Sequence, residues 1–145
     1  MATIFRKKFP KGTKLSSIHN EIKLQKHAAK LGLAPRILGT DNATYIDMQH
    51  LGDYSVSDMY GDEIDAIPPR VLSGMWSCIY MLFYQCDIAY RDVWPRNFME
   101  QNGRVWIIDF GDAQRINWNK EDKIDKYLLS IIEEGRIDRW NPEFT

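Results

Sequence analysis

The sequence is poor in cysteine. Its two thiols, Cys78 and Cys86, fall in one apolar stretch. They lack the paired spacing and neighbouring histidines that a zinc site or a disulfide scaffold requires, so both are expected as buried thiols in a reducing compartment. A long hydrophobic run is also missing. Residues 71–86 carry no charge, but Ser73, Gly74, Ser77 and Gln85 interrupt them, and they fall short of the roughly 20 apolar residues that cross a bilayer. They predict a buried helix and no membrane span. Residues 1–14 alternate basic and apolar side chains without the continuous apolar segment of a secretory signal, which points to an intracellular, cytoplasmic protein. Neither sign of charge is in excess: 19 Lys and Arg face 20 Asp and Glu, for a net charge of -1. No global field therefore favours nucleic acid or an anionic membrane, and no nucleic-acid partner is expected. His19, His27 and His50 are scattered over different segments, giving neither a metal cluster nor a Ser-His-Asp arrangement.

What is present is the composition of a folded protein, with 44% hydrophobic, 12% aromatic and 27% charged residues. A chain of 145 residues makes one compact domain that buries roughly 70% of its unfolded surface. Periodicity and punctuation then order the elements. Residues 3–9 alternate like a strand and end at Pro10-Lys11-Gly12. Ile18, Ile22 and Ala29 share a helical face carrying Glu21, and Gly32 with Pro35 ends that helix. Residues 36–39 and 44–48 read as strands around an Asp41-Asn42 turn, and Ser55 with Asp58 fits the cap of a short helix. The charge-free helix runs to Asp87. Residues 97–100 and 104–108 flank Asn102-Gly103 as a hairpin, and a last helix over residues 121–134 ends at Gly135. Strand, helix, two strands, helices, hairpin and helix make an α+β chain with its helices concentrated toward the C-terminal part. The five tryptophans and six methionines are expected in the core, with Trp106 in a buried strand.

The segment Tyr90-Arg91-Asp92-Val93-Trp94-Pro95-Arg96-Asn97, then the hairpin, then Asp109-Phe110-Gly111, holds seven specified residues at fixed offsets: Arg91, Asp92, Pro95, Asn97, Asp109, Phe110 and Gly111. Singly, an Asp or Asn here is most often a cap or turn residue. As a set in a strand-hairpin setting they resemble the catalytic loop and D-F-G of the protein kinase-like superfamily.

The resemblance implies a protein kinase-like fold over residues 1–145, with a reduced N-lobe sheet (1–50) and a truncated helical C-lobe (51–145). It implies ATP and Mg²⁺ as cofactors, and transfer of the γ-phosphate to a hydroxyl, with protein Ser/Thr as the first-choice acceptor. Asp92 is then the base that orients the acceptor, with Arg91 beside it, and Asn97 and Asp109 are the metal ligands, oxygen donors suited to a hard cation. Glu21 and the following Gly32-Leu33-Ala34-Pro35-Arg36-Ile37 resemble the helix glutamate and its link to the next strand. Lys7 or Lys8 is the lysine that pairs with it. Phe5 and Phe9 share the face of Lys7, while a solvated basic edge is an equally good use of the pair. Gln49 and Leu51 resemble the hinge that receives adenine, and they also fit an ordinary strand end.

The departures from the pattern matter too. No Gly-rich phosphate loop precedes Lys7, which would leave the phosphates exposed, and a homodimer would cover them. Trp94 stands where many Ser/Thr kinases have lysine, and Tyr90 where they have histidine. Arg96 is a replacement cation for the transferred phosphate or an ion-pair partner of Glu100. Asp125 faintly resembles the aspartate that braces the catalytic loop, and an exposed surface position is the expectation. The pattern after Gly111 lacks an A-P-E and the peptide-docking helices. Two further readings follow: a pseudokinase or nucleotide-binding scaffold, and a kinase of small sugar- or glycan-type molecules.

Overall fold

A computed structural model describes residues 3–120 and 124–144. Strand β1 (Ile4–Lys8), helix α1 (Leu15–Lys30) and strands β2 (Ile37–Thr40) and β3 (Tyr45–Gln49) come first. The strands form an antiparallel sheet in the order β1-β3-β2, with Lys7 opposite Ile46 and Lys8 opposite Tyr45. The turn between β2 and β3 is organised by Asp41, whose carboxylate accepts from the backbone N–H of Ala43 (3.0 Å), Thr44 (2.7 Å) and Tyr45 (3.1 Å) while Asn42 takes φ 61°. These bonds hold the Asp41 carboxyl below the usual carboxylate range, the Thr44 side chain and backbone contributing most.

Helix α1 joins two cores. Ile18 and Ile22 pack with Ile46 and Met48 of the sheet, while Leu24 and Ala28 enter the larger core. The same inward stripe carries Glu21 and Gln25, 4% and 0% exposed. Gln25 is held by its Nε2, which donates to the Pro35 carbonyl at 3.0 Å.

The larger core is built around helix α3 (Pro69–Gln85), preceded by the short helix α2 (Val56–Tyr60). Ser55 and Asp58 form the expected reciprocal capping box on α2. Pro69 at the first turn of α3 uses a position where the missing N–H costs nothing, and Val71, Met75, Cys78, Ile79, Leu82 and Phe83 recur at helical spacing on its buried face. Both cysteines are free and buried, and burial pushes the Cys78 thiol up to about 12, so it is inert. Strands β5 (Phe98–Gln101) and β6 (Arg104–Ile107) form the predicted hairpin, turning at Asn102 (φ 54°) and Gly103 (φ 76°). Two very short strands, β4 (Ile88–Ala89) and β7 (Gln114–Arg115), pair antiparallel on either side of the hairpin in sequence. Helix α4 (Lys126–Glu134) ends at Gly135 and starts later than predicted, because Asp125 is its N-cap and Ile124 precedes it outside the helix, while Glu121 lies outside the described residues. No helix among the described residues is long and apolar enough to cross a membrane.

The aromatic expectation needs correction. None of the five tryptophans is fully buried: Trp118 is 53% exposed, and Trp106 is half-buried under the Arg104 guanidinium, 4.4 Å from its ring. For three of them the indole N–H is the reason: Trp76, Trp118 and Trp140 sit where it reaches Ile131 O, Asp87 Oδ1 and Asp62 O, at 3.1, 2.7 and 2.6 Å. Met59 is likewise exposed, while Met48, Met75 and Met99 are core residues.

Candidate active site

Strand β1, helix α1 and the segment after β6 converge on three charged side chains. Lys7 Nζ lies 2.5 Å from Glu21 Oε2 and 3.4 Å from Asp109 Oδ1, with the lysine 25%, the glutamate 6% and the aspartate 43% exposed. Lys7 gets there because alternate β1 side chains face opposite ways. It shares its face with Phe9, whose ring lies 5.5 Å from Nζ, and Lys8 is exposed. Burial disfavours the Lys7 ammonium, but Asp109 and Glu21 together outweigh it and raise its pKa above the ordinary lysine value. Burial raises Glu21, and Lys7 only partly reverses that.

Asp109 is positioned from below. Phe110 is fully buried, with the Tyr90 ring edge-on at 5.8 Å, and the Tyr90 hydroxyl donates to the Asp109 carbonyl at 2.7 Å. Burial, first, and nearby carboxylates hold the Tyr90 phenol protonated. Gly111 N–H donates to Asp109 Oδ1 at 2.8 Å, and a Cβ on Gly111 would sit 3.2 Å from that oxygen and 3.4 Å from Glu21 Oε1. Only a residue without a side chain leaves those two carboxylates their present spacing.

Arg91, Asp92 and Asn97 belong to the irregular segment between β4 and β5. Asn97 is 4% exposed, and its Nδ2 donates to the Asp92 carbonyl at 2.8 Å, which leaves the amide oxygen as an acceptor. Asp92 is 14% exposed, with Arg96 Nη2 3.7 Å from Oδ1. Burial raises its pKa, and Asn97 and Arg96 oppose the shift. Arg96 therefore pairs with Asp92, and its guanidinium lies over the Trp94 ring at 5.3 Å. Glu100, the other expected partner, is taken by Arg70 at 3.1 Å and by the Tyr60 hydroxyl at 2.8 Å. Asp125 also departs from expectation. It is 9% exposed, caps α4 by accepting from Tyr127 N at 2.7 Å, and lies 4.0 Å from Arg91 Nε.

Two cavities flank this constellation. One, of about 390 Å³, is lined by Phe5, Met48, Gln49, Leu51, Met99 and Arg96 among others. The Gln49 N–H is already given to the Arg36 carbonyl at 2.9 Å, whereas the Leu51 N–H donates to no group among the described residues. The second, about 270 Å³, is lined by Lys7, Thr13, Ser17, Glu21, Asp109 and Gly111. A larger cavity of about 720 Å³ beside Arg91, Arg115 and Asp125 shares no residue with the Lys7 cluster, and charge convergence, not volume, identifies the site. Among the described residues no three His, Cys, Asp or Glu side chains are placed to hold a metal alone. The donor set of one carboxylate and one amide oxygen suits a cation that takes its remaining ligands from phosphate and water, as Mg²⁺ does.

Sequence reading missed the Tyr90 hydroxyl and the Arg96–Asp92 pair. A tyrosine directly before Arg91 was visible, but its bonding partner was not.

No family model matches the chain, and no curated protein matches it. Solved structures do. The yeast RNA Pol II CTD kinase CTDK-1 complex aligns over 79% of this chain and 40% of its own, with TM-score 0.54 and 20% identity. The Rv3197–erythromycin complex from Mycobacterium tuberculosis aligns over 70% of this chain and 28% of its own, with TM-score 0.52 and 17% identity. The chain thus spans less than half the length of either neighbour. At such identities the likeness speaks to the backbone alone, and what it shows is that these helices and small sheets make a kinase-like fold.

Proposed function

We propose that the chain is an ATP- and Mg²⁺-dependent phosphotransferase that moves the γ-phosphate of ATP to a hydroxyl. The observation that carries this is the convergence of Lys7, Glu21 and Asp109 on one cavity, with the Asn97 carbonyl tied at 3.0 Å to the N–H of Ile108, directly before Asp109. The cavity near Leu51 takes the base, with the free Leu51 N–H as its hydrogen-bond donor. Lys7, fixed by Glu21, presents its ammonium to the phosphates. Asp109 and Asn97 hold Mg²⁺, which supplies neutralisation of the phosphate charge. Asp92 orients the acceptor hydroxyl and takes its proton, and its raised pKa makes it a stronger base than an exposed aspartate. The acceptor of first choice is a protein Ser or Thr hydroxyl. The Trp94 ring stacked on Trp140 at 6.2 Å beside Asp92 favours a second reading, a small hydroxylated molecule held against aromatic surface.

The test is Mg²⁺-dependent release or transfer of the terminal phosphate of ATP, with water, a peptide mixture and a panel of sugars as acceptors. The expected result is activity that Asp92→Asn removes. Nucleotide binding without turnover under any acceptor would leave a binding scaffold as the better reading.

A further inference from the structure

The residues after α4 turn back onto the segment that bears Asp92. Ile137 enters the large core, the Arg139 carbonyl accepts from the Tyr127 hydroxyl at 2.6 Å, and Trp140 stacks on Trp94. At the end of this strap is Asn141, a polar residue with no exposed surface. Its Nδ2 donates to the Arg91 carbonyl at 2.7 Å and lies 3.4 Å from Asp125 Oδ2, its Oδ1 accepts from Glu143 N at 3.0 Å, and its own N–H reaches the Val93 carbonyl at 3.4 Å. Arg91 and Val93 are the neighbours of Asp92 on either side. The carbonyl between them, that of Asp92, takes Asn97 Nδ2. Three consecutive carbonyls are thus held by two asparagines, one of them about 50 residues away in sequence.

We infer that Asn141 is a positioning residue for Asp92, fixing the peptide units on both sides of the base so that its carboxylate points at the acceptor. The inference rests on the phosphotransfer reading for its catalytic meaning and on geometry alone for its structural one. A buried asparagine that merely stabilised the fold would be indifferent to which carbonyls it met. These bonds go to the two carbonyls that set the direction of Asp92, in a stretch with no sheet partner between β4 and the 3₁₀ turn at Pro95–Asn97. Errors of about 1 Å in the placement of a reacting group cost on the order of 10²-fold in rate.

The experiment compares wild type, Asn141→Ala and Asn141→Asp. The aspartate keeps the size and the Glu143 bond but turns the donor toward Arg91 into an acceptor, beside Asp125. Mg²⁺-dependent ATP hydrolysis gives kcat and KM, and amide hydrogen exchange at Val93, whose N–H donates to the Arg91 carbonyl at 3.0 Å, reports the order of the segment without any need for turnover. The expected outcome is a kcat lowered about 10- to 100-fold in both variants with KM for ATP within about threefold. Exchange at the Val93 N–H should quicken in both variants, while exchange within α3 stays as in wild type. Variants that bind ATP normally, with kcat within twofold of wild type and unchanged Val93 exchange, overturn the inference. A fall in kcat matched by an equal loss of ATP binding overturns it too, since that marks general loosening of the fold. Wild-type protein without ATP binding or turnover overturns the phosphotransfer reading instead, and Val93 exchange then decides the positioning by itself.

Discussion

Residues 1–50 and 51–145 differ in both charge and packing. The first stretch carries nine Lys and Arg against three Asp and Glu, net +6, and the second ten against seventeen, net -7. The first has a small core of its own, Ile18, Ile22, Ile46 and Met48, under a sheet whose Ile4, Phe5 and Leu38 are exposed. The second owns most of the large core around α3. The groups proposed to perform chemistry, Asp92, Asn97 and Asp109, all come from the well-packed acidic stretch, where position is cheap to hold. The cation proposed to bind phosphate comes from the thinly packed basic one. The two meet at Lys7, Glu21 and Asp109, and α1 ties them mechanically by entering both cores. Precision and charge are thus supplied by different parts of the chain.

Changes confined to one stretch should separate these contributions. The largest effect belongs to Asp92→Asn, which should lower transfer by about 10² to 10⁴ while leaving the ATP-dependent rise in Tm intact. Next is Lys7→Met, which strands the buried Glu21 carboxyl. A loss of about 1–3 kcal/mol is expected, read as a Tm lower by about 3–10 °C, together with weaker ATP binding. Lys8→Met, on the opposite exposed face, should change stability by less than about 0.5 kcal/mol. Asp125→Ala removes the cap of α4 and should cost about 1 kcal/mol in a urea titration, with no change in ATP affinity.

The smallest effect is a shift in pH dependence. Asp92 must be ionised to act as base, and the Arg96 charge lowers its pKa against the effect of burial. Arg96→Ala therefore raises that pKa, so the acid limb of the rate profile moves to higher pH, by less than about one unit because Arg96 is half exposed. A limb that moved down or stayed fixed would separate Arg96 from the base.

Much of this was legible in the chain because its local signals agree. Asn102-Gly103 demanded two positive φ angles and received them, Ser55 and Asp58 fixed the start of α2, and the spacing along α1 put Glu21 on the inward face. What was not legible depends on long-range geometry. The β4–β7 pair is two residues long on each side, too short for any alternation to show. Alternation split Lys7 from Lys8 but could not say which face of β1 met α1. The burial of Asp125 and Asn141 follows from the chain folding back over Arg91, and no composition or period records a return of that kind. Trp76, Trp118 and Trp140 failed as core predictions where the indole N–H reaches an oxygen, and Trp106 failed where its ring lies under the Arg104 guanidinium.

The central claim is a Mg²⁺-dependent ATP site built on Asp109. Thermal unfolding of wild type and Asp109→Ala, each with and without ATP and Mg²⁺, tests it without knowledge of the acceptor. At ATP about a hundred times its Kd the wild type gains about 2.7 kcal/mol, a rise of roughly 5–10 °C that requires Mg²⁺ and is lost in the variant. No rise at millimolar ATP, or an equal rise in Asp109→Ala, contradicts the account.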